Sequence, residues 1–273
     1  MLGHDVERAA REVGHEPITL TRADLDITDR AAVEEACIDH YPGAVINCAA
    51  WTNVDGAEEH EVEATAVNGP GAGNVAAAAA AVGAAIVHPS TDYVFDGRRA
   101  EGYVESDEVG PISGYGRSKL VGEQAVAAAN TRHWIVRSSW LFGVHGRNFV
   151  ETMLGLAQDR EEVVVVRDQV GCPTYTGHLA AGLVRLLDAE EYGIHHMAGA
   201  GRCSWYDFAV EIFKQAGVDC RVLSMTSDML DRPAPRPAFS VLISEREHPV
   251  LLPEWSEGLA EYLAERSERE VRA

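Results

Sequence analysis

Lysine is almost absent from this 273-residue chain: of its 23 basic residues, only Lys119 and Lys214 are lysines. Acidic residues number 43, and the formal net charge at pH 7 is −20. So many carboxylates repel phosphate backbones and anionic lipid, which argues against nucleic acid and membrane as partners. Such a surface belongs to a protein working in concentrated salt, where screening shortens the reach of self-repulsion, or to an ordinary acidic enzyme. Long apolar runs are missing as well: none reaches the roughly 18 residues that a membrane span needs. The first residues do not read as a signal peptide. The five cysteines, Cys37, Cys48, Cys172, Cys203 and Cys220, are odd in number and include no Cys-x-x-Cys pair. They read as isolated thiols in a reducing compartment, and the cytoplasm is the expected location.

What is present is an alternation. Helical stretches are expected over residues 3–13, 29–40, 58–82 with a break at 68–71, and 113–129. Short apolar runs at 18–20, 44–48, 84–88 and 133–137 read as the strands between them. This rhythm predicts an α/β fold, a Rossmann-like doubly wound parallel sheet with right-handed crossovers and helices on both faces. Beyond residue 148 the pattern loosens: helices to 159 and over 176–187, 204–216 and 254–266, with strands at 163–166 and 194–197. Residues 1–147 are therefore expected to form a dinucleotide-binding domain. Residues 148–273 are expected to form mainly a smaller substrate lobe that partly returns to it.

Two segments carry chemistry. Tyr115-Gly-Arg-Ser-Lys119 puts a phenol and an ammonium on one helical face, a turn apart. A phenol with a pKa near 10 is a poor acid–base group at neutral pH, and a close cation favours the phenolate. Lowering that pKa by about 3 units needs roughly 4 kcal/mol of differential stabilisation. Tyr-x-x-x-Lys alone also describes a surface tyrosine beside a solvated lysine, but here it holds one of only two lysines in the chain. Ser90-Thr91-Asp92 lies at the end of a strand, where the Thr91 hydroxyl could hold the same oxygen as Tyr115. His195-His196 are adjacent and do not form a metal pair.

Further segments join these in order: Asn47-Cys48-Ala49-Ala50-Trp51-Thr52-Asn53-Val54-Asp55-Gly56-Ala57-Glu58, Ser90-Thr91-Asp92-Tyr93-Val94-Phe95-Asp96-Gly97, Arg137-Ser138-Ser139-Trp140-Leu141-Phe142-Gly143, Asp168-Gln169-Val170-Gly171-Cys172-Pro173-Thr174 and Arg236-Pro237-Ala238-Phe239-Ser240-Val241-Leu242. With them the chain resembles the extended short-chain dehydrogenase/reductases, and within these the dTDP-4-dehydrorhamnose reductase family, from Gly3 to about Leu263. The resemblance implies NADPH or NADH as cofactor and a 4-keto-6-deoxy sugar on dTDP as substrate, with dTDP-L-rhamnose as product. It implies that Tyr115 protonates the developing alkoxide, Thr91 binds the carbonyl oxygen, and Lys119 holds the nicotinamide ribose and lowers the tyrosine pKa. Leu2, Gly3, Ala49, Ala50 and Thr52 would line the cofactor, Asp26 and Ile27 the adenine, and Arg22 a 2′-phosphate. Asp92, Trp140, Arg236 and Ser240 would meet the substrate, Arg236 with a forked donor to the diphosphate. Some family members bind Mg²⁺, but no ligands for it can be assigned here, and the family leaves room for a homodimer.

In this family the glycine-rich turn follows an opening strand. Gly3 matches the last glycine of that turn, so an upstream strand and two further glycines are expected, and a form starting at Met1 is expected to bind NAD(P)H weakly. Neighbouring activities separate on single residues. Sugar-nucleotide 4,6-dehydratases resemble one another in a Glu after Thr-Asp, where this chain has Tyr93, and epimerases usually place small or Ser residues at the Thr91-Asp92 step. Other nucleotide-sugar reductases or epimerases, and a non-catalytic regulatory homologue of the methionine adenosyltransferase β-subunit type, stay open as alternatives.

The charge makes one direct prediction. Raising KCl from about 0.1 M to about 2 M, which shortens the Debye length from ~10 Å to below 3 Å, raises the thermal unfolding midpoint by several degrees. A midpoint that is flat or falls across that range identifies an ordinary acidic surface.

Overall fold

The computed structural model describes residues 1–272. In chain order, helices α1 (Leu2–Glu12) and α2 (Arg30–His40) precede strand β1 (Ala44–Ile46). Helices α3 (Gly56–Glu59), α4 (Glu61–Ala66) and α5 (Ala72–Ala81) follow, with a π-helical turn, Val67–Gly71, between the last two. Next come β2 (Ala85–Thr91), α6 (Gly114–Ala129), β3 (His133–Ser138) and β4 (Leu141–Phe142). The rest comprises α7 (Phe149–Leu156), β5 (Glu162–Val166), β6 (Val170–Gly171), β7 (Thr174–Tyr175), α8 (Thr176–Arg185), β8 (Gly193–His196), β9 (Cys203–Ser204), α9 (Trp205–Ala216), β10 (Arg221–Met225) and α10 (Trp255–Arg272).

The central sheet is parallel, in the order β1-β2-β3-β8. Its strands are apolar on both faces because both are covered. Ala85, Val87, Trp134 and Val136 face α1 and α8 through Val6, Ala9, Leu179 and Leu183. Ile86 and Ile135, offset by one residue, pack with Val33 of α2, Val75 and Ala76 of α5 and Val126 of α6. The alternation follows from the two-residue period of a strand. Although α8 and β8 lie far along the chain, they complete this first unit. A second core gathers Phe142, Tyr175, Phe208, Leu259 and Tyr262 from β4, β7, α9 and α10, beside the parallel pair β5–β10.

The expected helices and strands are present, with one exception. Residues 18–20 are not a strand: Ile18 is 59% and Leu20 43% exposed, and neither pairs with the sheet. A strand needs a neighbour for its N–H and C=O groups. The sheet begins at β1, and among the described residues no strand pairs with the edge of β1 opposite β2. Strand β10 and the two-residue strands were not visible in the sequence pattern, since each is short and set by its partner.

Helix α6 is seated by contacts that admit no side chain. Ser113 caps it, its Oγ accepting from Gly116 N–H at 3.1 Å. A Cβ on Gly122 would stand 2.1 Å from the Asn68 carbonyl oxygen. Asn68, 1% exposed, also donates to Ser118 Oγ at 2.9 Å and brackets Trp51 by accepting from its N–H and donating to its carbonyl. Gly122→Ala therefore has to push α6 outward. It should cost about 1–3 kcal/mol of stability, measured by urea unfolding, and a neutral result would mean that the backbone around Asn68 yields.

Candidate active site

The C-terminal ends of β2 and β3 lie side by side, with Thr91 in register with Ser138 and Ser90 with Arg137. The first turns of α6 bring Tyr115 to this edge. Its hydroxyl is hydrogen-bonded to the Thr91 side chain, and its ring meets Tyr93 edge-on at 5.6 Å. Thr91 is 6% exposed, donates to Asp92 Oδ1 at 3.1 Å and accepts from Tyr93 N–H at 3.2 Å. Lys119 is buried one turn along α6, its Nζ 2.8 Å from Pro89 O and 3.4 Å from His88 Nε2. Thr91 and Tyr115 therefore meet directly, whereas Lys119 Nζ is bonded to the β2 backbone at Pro89, two residues before Thr91.

The electrostatics correct one expectation. Burial pushes the Tyr115 phenol up to about 12; the bond with Thr91 opposes this and the charge of Asp92 adds to it. Lys119 is not among the groups that lower it, because its ammonium is turned to Pro89 O and His88. Burial lowers Lys119 itself to about 8, against the pull of Glu123 and Cys48. Asp92, 1% exposed, is pushed up to about 7 by burial, although the Ser240 hydroxyl, Thr91 and backbone N–H groups favour its charged form. Its Oδ2 has no hydrogen-bond partner of good geometry.

The remaining candidates divide. Trp140 has a left-handed backbone (φ 49°). Its indole stacks on Trp205 at 3.5 Å and packs so closely over Gly171 that a Cβ there would lie 2.6 Å from the ring. A bulky residue at positive φ is strained and persists only where its surroundings hold it. Ser240 reaches Asp92. Arg236 offers its fork to Asp55, at 3.0 and 2.8 Å, rather than to open space, and also meets the Tyr93 hydroxyl. At the other end, Gly3 lies beside half-buried Leu2 in the first turn of α1, which no side chain caps. A Cβ on Gly3 would stand 3.7 Å from that of Cys48, an ordinary contact. Ala49 and Thr52 are exposed and Ala50 half-buried, with the Ala49 N–H donating to Asn47 Oδ1 at 3.2 Å. Arg22 and Asp26 are exposed; Asp26 Oδ1 accepts from the Thr28 N–H and hydroxyl. The Ile27 side chain is in the core against Gly71, so only its backbone could border a ligand.

Four residues of the site escaped the sequence reading: His88, Asn68, Glu123 and Trp205. None belongs to a spacing pattern, and only the fold brings them here. His195 and His196 serve structure, hydrogen-bonding to Glu191 O and to the Tyr103 and Ile243 carbonyls. Asp5, His145 and Glu265 form a cluster of metal-ligand type, but the Arg8 guanidinium already pairs with both carboxylates. The cluster thus already holds a cation and gives no support to Mg²⁺.

A family profile described as RmlD substrate binding domain matches residues 1–268. The chain belongs to this family. A dTDP-4-dehydrorhamnose reductase of Mycolicibacterium smegmatis is 44% identical, covering 97% of this chain and 82% of that protein. The spore coat polysaccharide biosynthesis protein SpsK of Bacillus subtilis is 40% identical over 97% of this chain and 94% of its own length. Among solved structures, a dTDP-4-dehydrorhamnose reductase from Clostridium acetobutylicum superposes with a TM-score of 0.95 at 45% identity, covering 97% of this chain and 96% of that one. One from Bacillus anthracis in complex with NADP gives 0.94 at 38% identity, covering 97% and 95%. Family membership and the Rossmann-like sheet agree with the order of the motifs.

Asp92 yields a pH test. Its folded-state pKa is raised from 3.8 to about 7, so folding favours the protonated form. The cost of carrying the charge grows as pH climbs between those values and levels off above them. Asp92→Asn should therefore gain stability over the parent with rising pH, reaching about 4 kcal/mol by pH 8. A gain that is the same at pH 4.5 and pH 8 would show Asp92 to be charged throughout.

Proposed function

We propose that this protein is an NAD(P)H-dependent reductase of the 4-keto group of dTDP-4-dehydro-6-deoxy-L-mannose, forming dTDP-L-rhamnose for cell-surface polysaccharide. The observation that carries this reading is the hydrogen-bonded pair Thr91–Tyr115 beside buried Lys119, at the C-terminal edge of the sheet, where such folds bind ligands. The residues fit a nicotinamide dinucleotide. Whether ammonium or amine, Lys119 keeps one N–H donor beyond its bonds with Pro89 O and His88. Lys119 and Tyr115 would hold the nicotinamide ribose, Gly3 and Leu2 the diphosphate at the start of α1, and Ala49, Ala50 and Thr52 the edge between. Arg22 would meet the 2′-phosphate of NADPH, with Asp26 and the backbone at Ile27 beside the adenine.

The bound cofactor supplies a hydride to the carbonyl carbon. Tyr115 donates its proton to the oxygen as negative charge develops there, and the Thr91 hydroxyl turns from Asp92 to the same oxygen. A tyrosine held near pKa 12 stays protonated until that moment, as a proton donor should. In this reading Trp140, propped by Trp205, walls the sugar, and Ser240 and Asp92 bind its hydroxyls. Arg236 exchanges Asp55 for the substrate diphosphate. The lobe over residues 148–273 supplies Trp140's support and these contacts, while residues 1–147 hold the cofactor. A site of action in the cytoplasm agrees with five free cysteines. No described helix is long and apolar enough to cross a membrane.

Tyr115→Phe removes only the proton donor. It should lower kcat at least about 100-fold while leaving the dissociation constant for NADPH within about twofold. Retained turnover means that another acid serves. A parent protein that binds NADPH yet oxidises it no faster with the dTDP-4-keto sugar than without is not this reductase.

A further inference from the structure

Behind Lys119 lies a buried histidine that the proposed reaction does not use. His88, in the middle of β2, is 0% exposed. Its Nε2 stands 3.4 Å from Lys119 Nζ and its Nδ1 3.4 Å from Asn47 Nδ2. Asn47 cannot turn its amide round freely, because Oδ1 accepts the Ala49 N–H at 3.2 Å. An N–H group therefore faces Nδ1 from the β1 side, and the lysine faces Nε2 from α6.

A neutral imidazole carries one proton and accepts at its other nitrogen. If Lys119 is an ammonium, Nε2 must accept from it, so Nδ1 carries the proton and points an N–H at the N–H of Asn47. If Lys119 is a neutral amine, Nε2–H donates to its lone pair, Nδ1 accepts from Asn47, and the amine still donates to Pro89 O, 2.8 Å away. Only the second arrangement satisfies every group. A doubly protonated ring matches neither contact, and burial beside Lys119 holds His88 well below its ordinary pKa.

We infer that His88, oriented by Asn47, is a positioning residue that biases Lys119 toward its neutral amine. The other groups around the lysine do not reproduce this effect. Glu123, on the same helix, is ion-paired with Arg137 and favours the ammonium. Cys48, after β1, has its thiol pushed up to about 12 and is uncharged at neutral pH. Tyr115 is protonated until far above neutrality. Burial and the Asn47–His88 relay thus act in one direction, consistent with a lysine lowered to about 8. Resting on the reductase reading, the relay keeps Lys119 close to the point of exchanging its proton beside the tyrosine that donates one.

The chain suits a direct test, since its only lysines are Lys119 and Lys214, the latter an exposed control on α9. A sample labelled at lysine Cε and histidine nitrogen is titrated by NMR without cofactor or substrate, so the outcome does not depend on turnover. At pH 9 the ¹⁵N shifts should place the His88 proton on Nε2 and leave Nδ1 bare; a proton on Nδ1 overturns the inference. Asn47→Leu removes the facing N–H without adding charge. It should raise the Lys119 midpoint by about one unit, a tenfold change in the ammonium-to-amine ratio, and an unchanged or lowered midpoint overturns the inference. Should that variant not fold, Asn47→Asp keeps the shape and the bond to Ala49. It should switch the His88 proton to Nδ1, and retention on Nε2 overturns the inference. In the active enzyme the alkaline limb of kcat should move with the Lys119 midpoint. Absence of any turnover would refute the reductase reading while leaving the NMR result intact.

Discussion

Three segments of the site are tied to one buried ion pair. Glu123 on α6 and Arg137 on β3, 3% and 2% exposed, meet through two hydrogen bonds of 2.8 and 2.9 Å. Ser90 on β2 donates to the same carboxylate at 2.5 Å. Glu123 sits one turn beyond Lys119, Ser90 immediately precedes Thr91, and Arg137 precedes Trp140 by three residues. One interaction thus fixes the relative positions of the three elements that carry Tyr115, Thr91 and Trp140. Arg137 is shared further, lying over the Phe95 ring at 5.1 Å and 3.5 Å from His196. Burying two charges is costly, and breaking such a pair leaves one uncompensated, at about 3–5 kcal/mol. Its contribution is therefore to geometric definition more than to net stability.

Around that anchor, burial sets the proton affinities. Desolvation raises Tyr115 and Asp92 and lowers Lys119 and His88, and it is the leading cause in all four. The neutral form of each is favoured. Buried groups whose charged forms are disfavoured respond strongly to any charge that develops beside them, since little water is present to screen it. Lys119 and Tyr115 do not tune each other through direct contact here; they share a low-dielectric environment.

The second lobe contributes rigidity at its border with the first. The left-handed backbone at Trp140 is held by Trp205 and by the absence of a side chain on Gly171. Phe149 and Phe208 continue the aromatic cluster behind Trp205 into the lobe's core. On the opposite side the Arg236–Asp55 pair joins the segment before Ser240 to the loop after β1. The two contacts bracket the edge of the sheet from different parts of the chain.

The amino-acid sequence by itself determined the α/β alternation, the faces of the helices, and the placing of Tyr115 and Lys119 a turn apart on one helix. These depend on local periodicity and on neighbours a turn apart, which a single chain displays. It overreached at residues 18–20, where apolar residues suggested a strand that the sheet does not pair. It was silent on His88, Asn68, Glu123 and Trp205, which reach the site only when β2, the Val67–Gly71 turn, α6 and α9 are packed. Proton affinities were also beyond its reach. The spacing of Tyr115 and Lys119 suggested a lowered phenol, whereas the folded site raises it, because pKa follows the dielectric and partners around a group. Those are properties of three-dimensional burial, and only the tertiary structure decided them.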